Sequence, residues 1–365
     1  MMTAFVFTIV VTIAVWWFLQ QPQFGAMATG SRLEKIRQSP HFKNGQFQNL
    51  SNTPNLTEGA TYLGVMKEFV FGEKVRNKPS DSIHAMKTDL LNTAPDENVL
   101  VWFGHSSYFM QLDGKRILVD PVFSGAASPL AFTTRSFPGT DVYSTDDFPA
   151  IDYLIITHDH WDHLDYETVI RMKEKVGVVI CGLGVGAHLE RWGYSADMII
   201  EKDWYETVEL DSGLTLHTAP ARHFSGRGLK RNQSLWMSYV LESPSARIYI
   251  GGDSGYDSHY ATIGERFGKI DLAILENGQY DKNWKYIHMM PEEVVQAAKD
   301  LNAARLLTVH NSKFSLGNHA WDEPLVRVSA LAKEQGVDLI TPAIGQKVDL
   351  KDTTFTYAQW WTELK

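Results

Sequence analysis

The sequence predicts an α/β domain of layered sheets, and three observations point there. Short β-rich runs recur from about residue 97: NVLVWF, SYFMQL, KRILVD, DYLIIT, VGVVIC, LTLHTA, LWMSYVL, ARIYIGG, DLAILE, ARLLTV and VDLI. The early runs follow one another as hairpins, with Asp113-Gly114 as a tight-turn signal between two of them. The later runs alternate with helical stretches, the pattern of sheets with helices on their faces. Composition agrees. Of 365 residues, 44% are hydrophobic and 21% charged, which is ordinary for a globular chain and argues against wholesale disorder.

Taken in order, the chain opens on an apolar stretch. No side chain before Arg32 is charged, and Ala4 to Leu19 reads AFVFTIVVTIAVWWFL. A membrane-spanning helix needs ~20 such residues, so residues 1–21 are expected to form an N-terminal membrane anchor. Trp16 and Trp17 would lie at head-group level, and Arg32, Lys35, Arg37 and Lys43 place the domain on the cytoplasmic side. The competing expectation is a cleaved signal peptide, with Ala26-Met27-Ala28 as the cleavage site and an exported, periplasmic domain. Residues 22–96 are polar and turn-rich, an extension expected to wrap the main domain, with one short helix near 60 to 72. The catalytic domain is expected over 97–350. Within it YETVIRMKEKV has helical apolar spacing at Val169, Met172 and Val176, and PEEVVQAAKDL opens with Pro291 and two glutamates in the first turn. Residues 351–365 form a tail in which Trp360 and Trp361 contact either the domain or a membrane surface.

Several function classes fall away. A single cysteine, Cys181, excludes a disulfide framework and a Cys-rich zinc module, and its apolar surroundings make it an inert core residue. A net charge of −9 gives no basic field for nucleic acid, and no nucleic-acid module is present. Gly251, Gly252 and Gly255 belong to no G-x-G-x-x-G pattern and lack a Walker lysine; they allow close backbone approach around Asp253. The partner is therefore a small-molecule or lipid substrate, and a homo-oligomer is compatible with the sequence.

The densest chemistry lies in IDYLIITHDHWDH, residues 151 to 163. An apolar strand ends at Thr157, and His158, His160, Asp162 and His163 follow at once. Histidines at i and i+2 leave a strand end on the same side and can reach one ion. The Asp-His pair enters the next turn and can reach a second. Imidazole and carboxylate donors suit a borderline divalent ion, zinc most simply, with manganese or iron as other fits. Three residues repeat this grammar. His223 follows LTLHTAPAR, Asp253 follows ARIYIGG, and His310 follows ARLLTV. Singly, a strand-end Asp reads as a turn cap and a lone His as a satisfied polar group. Together with the first cluster they make seven candidate ligands, enough for two ions.

H-x-H-x-D-H after a strand, then His, Asp and His after later strands, resembles the metallo-β-lactamase superfamily. The resemblance implies an αβ/βα sandwich of two mixed β-sheets flanked by helices, with a metal site at one sheet edge. It implies His158, His160 and His223 on a first metal, Asp162, His163 and His310 on a second, and Asp253 bridging them. WFGHSSYF, ILVDPVFS, HDHWDHLDY, GDSGY, IGERFGKIDLAI and WKYIHMMPEE, spread over residues 98 to 325, resemble N-acyl-phosphatidylethanolamine-hydrolysing phospholipase D and its bacterial relatives. That narrower resemblance implies a phosphodiesterase with two Zn²⁺ ions, acting on a phospholipid-like substrate through a hydroxide shared by the ions. Bacterial relatives shade into proteins resembling ascorbate-6-phosphate lactonase, so a cyclic-ester hydrolase of a phosphorylated metabolite is the alternative. A non-catalytic metal-binding scaffold is a third reading, disfavoured by the complete ligand set. The family commonly has Trp-Gly after the last histidine; Asn311-Ser312 stands here, so the pocket wall beside His310 is expected to differ.

On this reading Asp253 holds the ions together and Asp162 orients the nucleophile. His288, in KYIHMMPEE, matches a family histidine and is expected to hydrogen-bond a phosphoryl oxygen or protonate the leaving alkoxide; its plain alternative is a structural loop histidine. His105 in GHS also matches and is expected to orient a metal-binding group, with strand-end packing as the alternative. Asp120 in LVDP is expected to brace the metal loop through backbone hydrogen bonds, and Asp165 to cap the helix starting near Tyr166. Trp161, between two ligands, is expected to line the site mouth and touch substrate. Trp204, Trp236, Trp284 and Trp321 read as core or pocket.

Overall fold

The computed structural model describes residues 2–364. Helix α1 (Met2–Leu19) and helix α2 (Gly30–Gln38) open the chain, followed by a small hairpin of β1 (Phe42–Lys43) and β2 (Gln46–Phe47) and by α3 (Tyr62–Phe71). Strands β3 (Val99–Trp102), β4 (Tyr108–Leu112), β5 (Lys115–Val119) and β6 (Ile151–Ile156) lead into α4 (Tyr166–Met172), β7 (Val176–Gly182), α5 (Gly186–Arg191) and β8 (Ile199–Lys202). Next come β9 (Thr207–Glu209), β10 (Thr215–Ala219), β11 (Ser238–Glu242) and β12 (Arg247–Ile250), then α6 (His259–Phe267), β13 (Leu272–Glu276), α7 (Pro291–Asp300) and β14 (Leu306–Val309). Helix α8 (Glu323–Gln335), β15 (Leu339–Ile340) and β16 (Lys347–Asp349) complete the domain. The strands form two seven-stranded mixed sheets, ordered β16-β3-β4-β5-β6-β7-β8 and β15-β14-β13-β12-β11-β10-β9.

Period-two alternation explains the layering. In β6, Tyr153 and Ile155 enter the core between the sheets, while Leu154 and Ile156 join Val169, Met172 and Leu189 beneath α4 and α5. In β12, Ile248 and Ile250 face the first sheet, while Tyr249 packs with Ile263, Val294 and Val328 under α6, α7 and α8. Both faces of each sheet are buried, which is why these strands read as continuous apolar runs. Burial of each such side chain contributes roughly 1.5–3 kcal/mol. The β4–β5 hairpin turns at Asp113 and Gly114, both with positive φ (48° and 78°), the conformation of the two-residue turn that matches strand twist.

The N-terminal expectation is corrected. Among the described residues, no helix is long and apolar enough to cross a membrane. Helix α1 has 18 residues, about 27 Å at 1.5 Å per residue, against a hydrocarbon core of about 30 Å. It stops at Leu19 because Gln20 and Gln21 close a tighter turn onto Trp17 O and Phe18 O and Pro22 follows. The chain then docks on the domain: Trp192 Nε1 donates to Pro22 O (2.7 Å) and Arg191 Nη2 to Gln20 O (2.8 Å).

Candidate metal centre

The sheet topology gathers the polar residues at one edge. Strands β5, β6 and β7 run parallel, as do β12, β13 and β14, and β10 reaches the same direction through two antiparallel steps. Their C-terminal ends, with that of β3, deliver His105, Asp120, the loop His158–His163, His223, Asp253 and His310 to a common edge. Ligand-type residues on the ends of fixed strands are held to small tolerances. His105, Asp120 and His310 all have positive φ (51°, 41° and 67°), a region non-glycine residues seldom adopt and which persists only when the surroundings hold it. Here the hold is reciprocal: His105 N donates to Asn311 O (2.8 Å) and His310 N donates to His105 O (2.9 Å). Gly255 is required by close approach, since a Cβ there would lie 2.0 Å from Tyr286 O.

Seven residues converge in two groups. In the first, His158 Nε2 lies 2.9 Å and His223 Nε2 3.2 Å from His160 Nδ1. The distant nitrogens fix the tautomers. His223 Nδ1 donates to Ile287 O (2.9 Å), and His158 Nδ1 donates to Thr157 Oγ1 (3.0 Å), whose own hydroxyl is spent on Asp120. Both Nε2 atoms therefore carry bare lone pairs aimed at one point. Burial pushes His158, His160 and His223 below the usual imidazole range, which keeps them neutral. Asp253 Oδ2 lies 3.8 Å from His158 Nε2 and 3.7 Å from His223 Nε2.

The second group faces the other oxygen of the same carboxylate. Asp253 Oδ1 lies 3.1 Å from His163 Nε2 and 3.1 Å from His310 Nδ1. Asp162 Oδ2 lies 3.7 Å from His163 Nε2 and 4.0 Å from His310 Nε2, and His105 Nε2 donates to that oxygen at 2.9 Å. Burial opposes charge on His163, but Asp253, Asp162 and Asp120 outweigh it and raise the ring well above its usual range. Burial likewise opposes charge on Asp253, yet the surrounding histidines hold it well below the carboxylate range.

These donors fit divalent cations. His163 Nε2 and Asp253 Oδ1 are buried and lack a hydrogen-bond partner among the described residues, although they lie 3.1 Å apart; their approach is off the line of a hydrogen bond. Converging bare nitrogens and an orphaned carboxylate oxygen carry a penalty unless a cation accepts them. Two donor sets, His158/His160/His223/Asp253 and His105/Asp162/His163/His310, each lie within 4.8 Å of one another, as does a third, Asp253/Glu276/His288/His310.

The supporting residues are equally specific. Asp120 accepts from Thr157 N (2.9 Å), Thr157 Oγ1 (2.6 Å) and His163 Nδ1 (2.8 Å). It thus braces the loop through backbone, and it also orients a histidine. His288 lines the cavity above the donors, and its Nδ1 faces Glu276 Oε2 at 2.9 Å. Burial works against a charged His288, but the Glu276 carboxylate raises it to about 9. Trp161 does not line that cavity. It packs edge-on to Phe24 and lies 4.0 Å beneath the Arg227 guanidinium, because Arg227 is anchored to Asp159 O and Leu164 O and brings its own cationic face to the ring. Asp165 stands at the N-cap of α4, but its carboxylate accepts from Ser124 N (3.0 Å) and Thr168 Oγ1 (2.5 Å), not from helix amides. Asn311 and Ser312 turn inward, with Asn311 Nδ2 bound to Val309 O and Asn277 O, so they form no cavity wall.

Three buried residues were not foreseen. Glu276 ends β13 as Asp253 follows β12, so the same strand-end grammar applied to DLAILE would have found it. Asp159, between two histidines, bonds Gly226 N (2.7 Å), Ser234 Oγ (2.7 Å) and His188 Nε2 (3.2 Å). Lys313 buries its ammonium against Val122 O (3.1 Å), and nothing in its local sequence signals that.

A two-sheet sandwich with histidines and carboxylates converged at one edge defines a metal-dependent hydrolase. The chain belongs to the β-lactamase superfamily, whose domain matches residues 115–311. It is 36% identical over 344 residues to an uncharacterized protein of Mycobacterium tuberculosis, covering 91% of each chain. It is 28% identical over 346 residues to N-acyl-phosphatidylethanolamine-hydrolyzing phospholipase D 1 of Caenorhabditis elegans, covering 88% of this chain and 91% of that one. Among solved structures, a metallo hydrolase of the archaeon Ignicoccus hospitalis shares the fold, with a TM-score of 0.51 at 20% identity over 69% of this chain and 97% of that one.

Proposed function

We propose that the protein hydrolyses phosphodiesters, with a phospholipid-like compound as substrate, at a site of two divalent ions of which zinc best suits the donors. The observation that carries the reading is Asp253. Its Oδ2 faces His158 and His223, which share a donor set with His160, and its Oδ1 faces His163 and His310, the disposition of a carboxylate shared by two ions. Similarity to a phospholipase D that hydrolyses N-acyl-phosphatidylethanolamine supports the diester.

When bound, such ions supply Lewis acidity toward phosphoryl oxygens and a nucleophilic water at neutral pH. The chain supplies the rest. His158, His160, His223 and Asp253 would hold a first ion, and His163, Asp162 and His310 with Asp253 a second. Asp162, kept in orientation by His105 Nε2–H, takes up the proton of the attacking water. His288, whose Nδ1 is engaged by Glu276, presents Nε2–H to the cavity and protonates the leaving alkoxide. Trp161, Phe24 and Arg227 close the outer side of the metal loop.

The test is an activity panel on zinc-loaded protein: bis-p-nitrophenyl phosphate, a phospholipid and a lactone. Cleavage of the diesters, abolished in His160→Ala and Asp253→Ala, is the expected result. Lactone opening with inert diesters would replace this reading by a cyclic-ester hydrolase.

A further inference from the structure

We propose that α3 and the loop 279–288 form a slot for one apolar chain of the substrate, and that Arg231 at its rim holds the substrate's negative charge. The proposal rests on the hydrolytic reading of the donor cluster and adds the features by which a substrate is chosen.

A cavity of about 290 Å³ opens onto His160, Asp162 and Asp253. Beyond the donor residues its lining is mostly apolar, with Asn55, Gln279 and Arg231 as the polar members. Leu56, Tyr62 and Val65 come from the extension, and Trp284 and Leu316 from the domain line the same cavity. Residues 56 to 65 lie outside the matched segment 115–311. The extension is secured at its margins by polar bonds. Thr57 N donates to Asn283 O and Thr57 Oγ1 to Lys282 O, each at 2.8 Å. Asn283 Nδ2 donates to Glu68 Oε2 (3.2 Å), and Tyr286 Oη to Glu58 Oε2 (3.2 Å). All four bonds go to the loop that carries Trp284 and His288. Thr61 caps the helix by accepting from Gly64 N (3.1 Å). The strap is thus tied by polar groups outside while its apolar side chains roof the cavity. Hydrocarbon is the ligand such a roof favours, since burying it removes apolar surface on both sides from water. Leu63, Met66 and Phe71 are exposed on the same helix, so apolar surface continues from the slot to its outside.

Arg231 supplies the complementary feature. Among the described residues it is the one Lys or Arg that lines the cavity. Its guanidinium rests over the Phe224 ring, 5.0 Å from the centroid, beside the donor His223. A planar guanidinium donates two parallel N–H bonds to two oxygens of a phosphate, which suits a diester whose bridging chain lies under α3.

The test compares p-nitrophenyl phosphodiesters bearing a methyl or a decyl group, below the micellar concentration, with p-nitrophenyl acetate and decanoate, on the zinc-loaded full chain. Wild type should favour decyl over methyl by about tenfold or more in kcat/KM. A Leu56→Ser, Val65→Ser double variant should bring that ratio near unity. Arg231→Ala should raise KM for the decyl diester about tenfold more than for the decanoate, with Arg231→Lys recovering part of the difference. Circular dichroism and metal content equal to wild type keep the effects local. Equal wild-type rates on methyl and decyl, a ratio unmoved by the double variant, or equal KM changes on charged and neutral substrates in Arg231→Ala would overturn the proposal. Inert diesters with active esters would defeat the diester reading and the Arg231 assignment, and the acetate-to-decanoate ratio would then judge the slot by the same criterion.

Discussion

Asp120→Asn exchanges one oxygen for an amide nitrogen, yet it should cost most of one metal site. Asp120 is buried, and its carboxylate is a pure acceptor for Thr157 N, Thr157 Oγ1 and His163 Nδ1. The amide oxygen can keep Thr157 N. The amide NH₂ then faces His163 Nδ1 and Thr157 Oγ1 with two donors opposed to two donors. The least costly relief moves the His163 proton from Nδ1 to Nε2, the atom 3.1 Å from Asp253 Oδ1 that must carry a lone pair to bind a cation. The Thr157 hydroxyl, if it turns, also loses its present role as acceptor for His158 Nδ1. Loss of such an orienting partner lowers metal affinity by roughly 10- to 100-fold, or about 1.4–2.8 kcal/mol. Competition of metal-free protein against a chelating dye measures this directly, with circular dichroism as the control for folding. One of two affinities should fall within that range while the other changes less. Unchanged affinities in a folded Asp120→Asn protein would refute the tautomer argument.

Other outcomes follow from the same structure. His288→Ala should lower kcat by about 10²- to 10⁴-fold with metal content intact, and metal loss instead would make the residue structural. Burial holds His259 down at about 4, below the 6.5 of an unfolded histidine, so the unfolded chain takes up the proton first. Its contribution is therefore complete above pH 6.5 and is lost as pH falls toward 4, by about 3 kcal/mol. Urea midpoints of wild type and His259→Gln across that window should diverge accordingly, and parallel curves would contradict the burial argument. Ile250→Ala, in the core between the sheets, should cost about 2–5 kcal/mol in urea unfolding, and a change below ~1 kcal/mol would contradict its placement.

The domain was legible because both faces of each sheet are covered. Strands such as LAILE and RIYI therefore appear as continuous apolar runs, and the Asp113-Gly114 turn fixes one hairpin register. The donor residues were legible because they crowd within a few positions of strand ends, where sequence distance and spatial distance agree. Long-range partners were not. Nothing near Glu276 names His288, nothing near Arg227 names Trp161, and the roof that Leu56 and Val65 place over the site depends on bonds to residues more than two hundred positions away. The α1 expectation failed over length, because an apolar run closed by Gln20, Gln21 and Pro22 makes a helix that ends at Leu19.

The most direct test is metal stoichiometry coupled to activity on one preparation. Native protein should carry close to two divalent ions per chain by plasma emission, lose hydrolysis as a chelator removes them, and regain it on readdition of zinc. A folded, metal-free protein with undiminished hydrolysis would contradict the account.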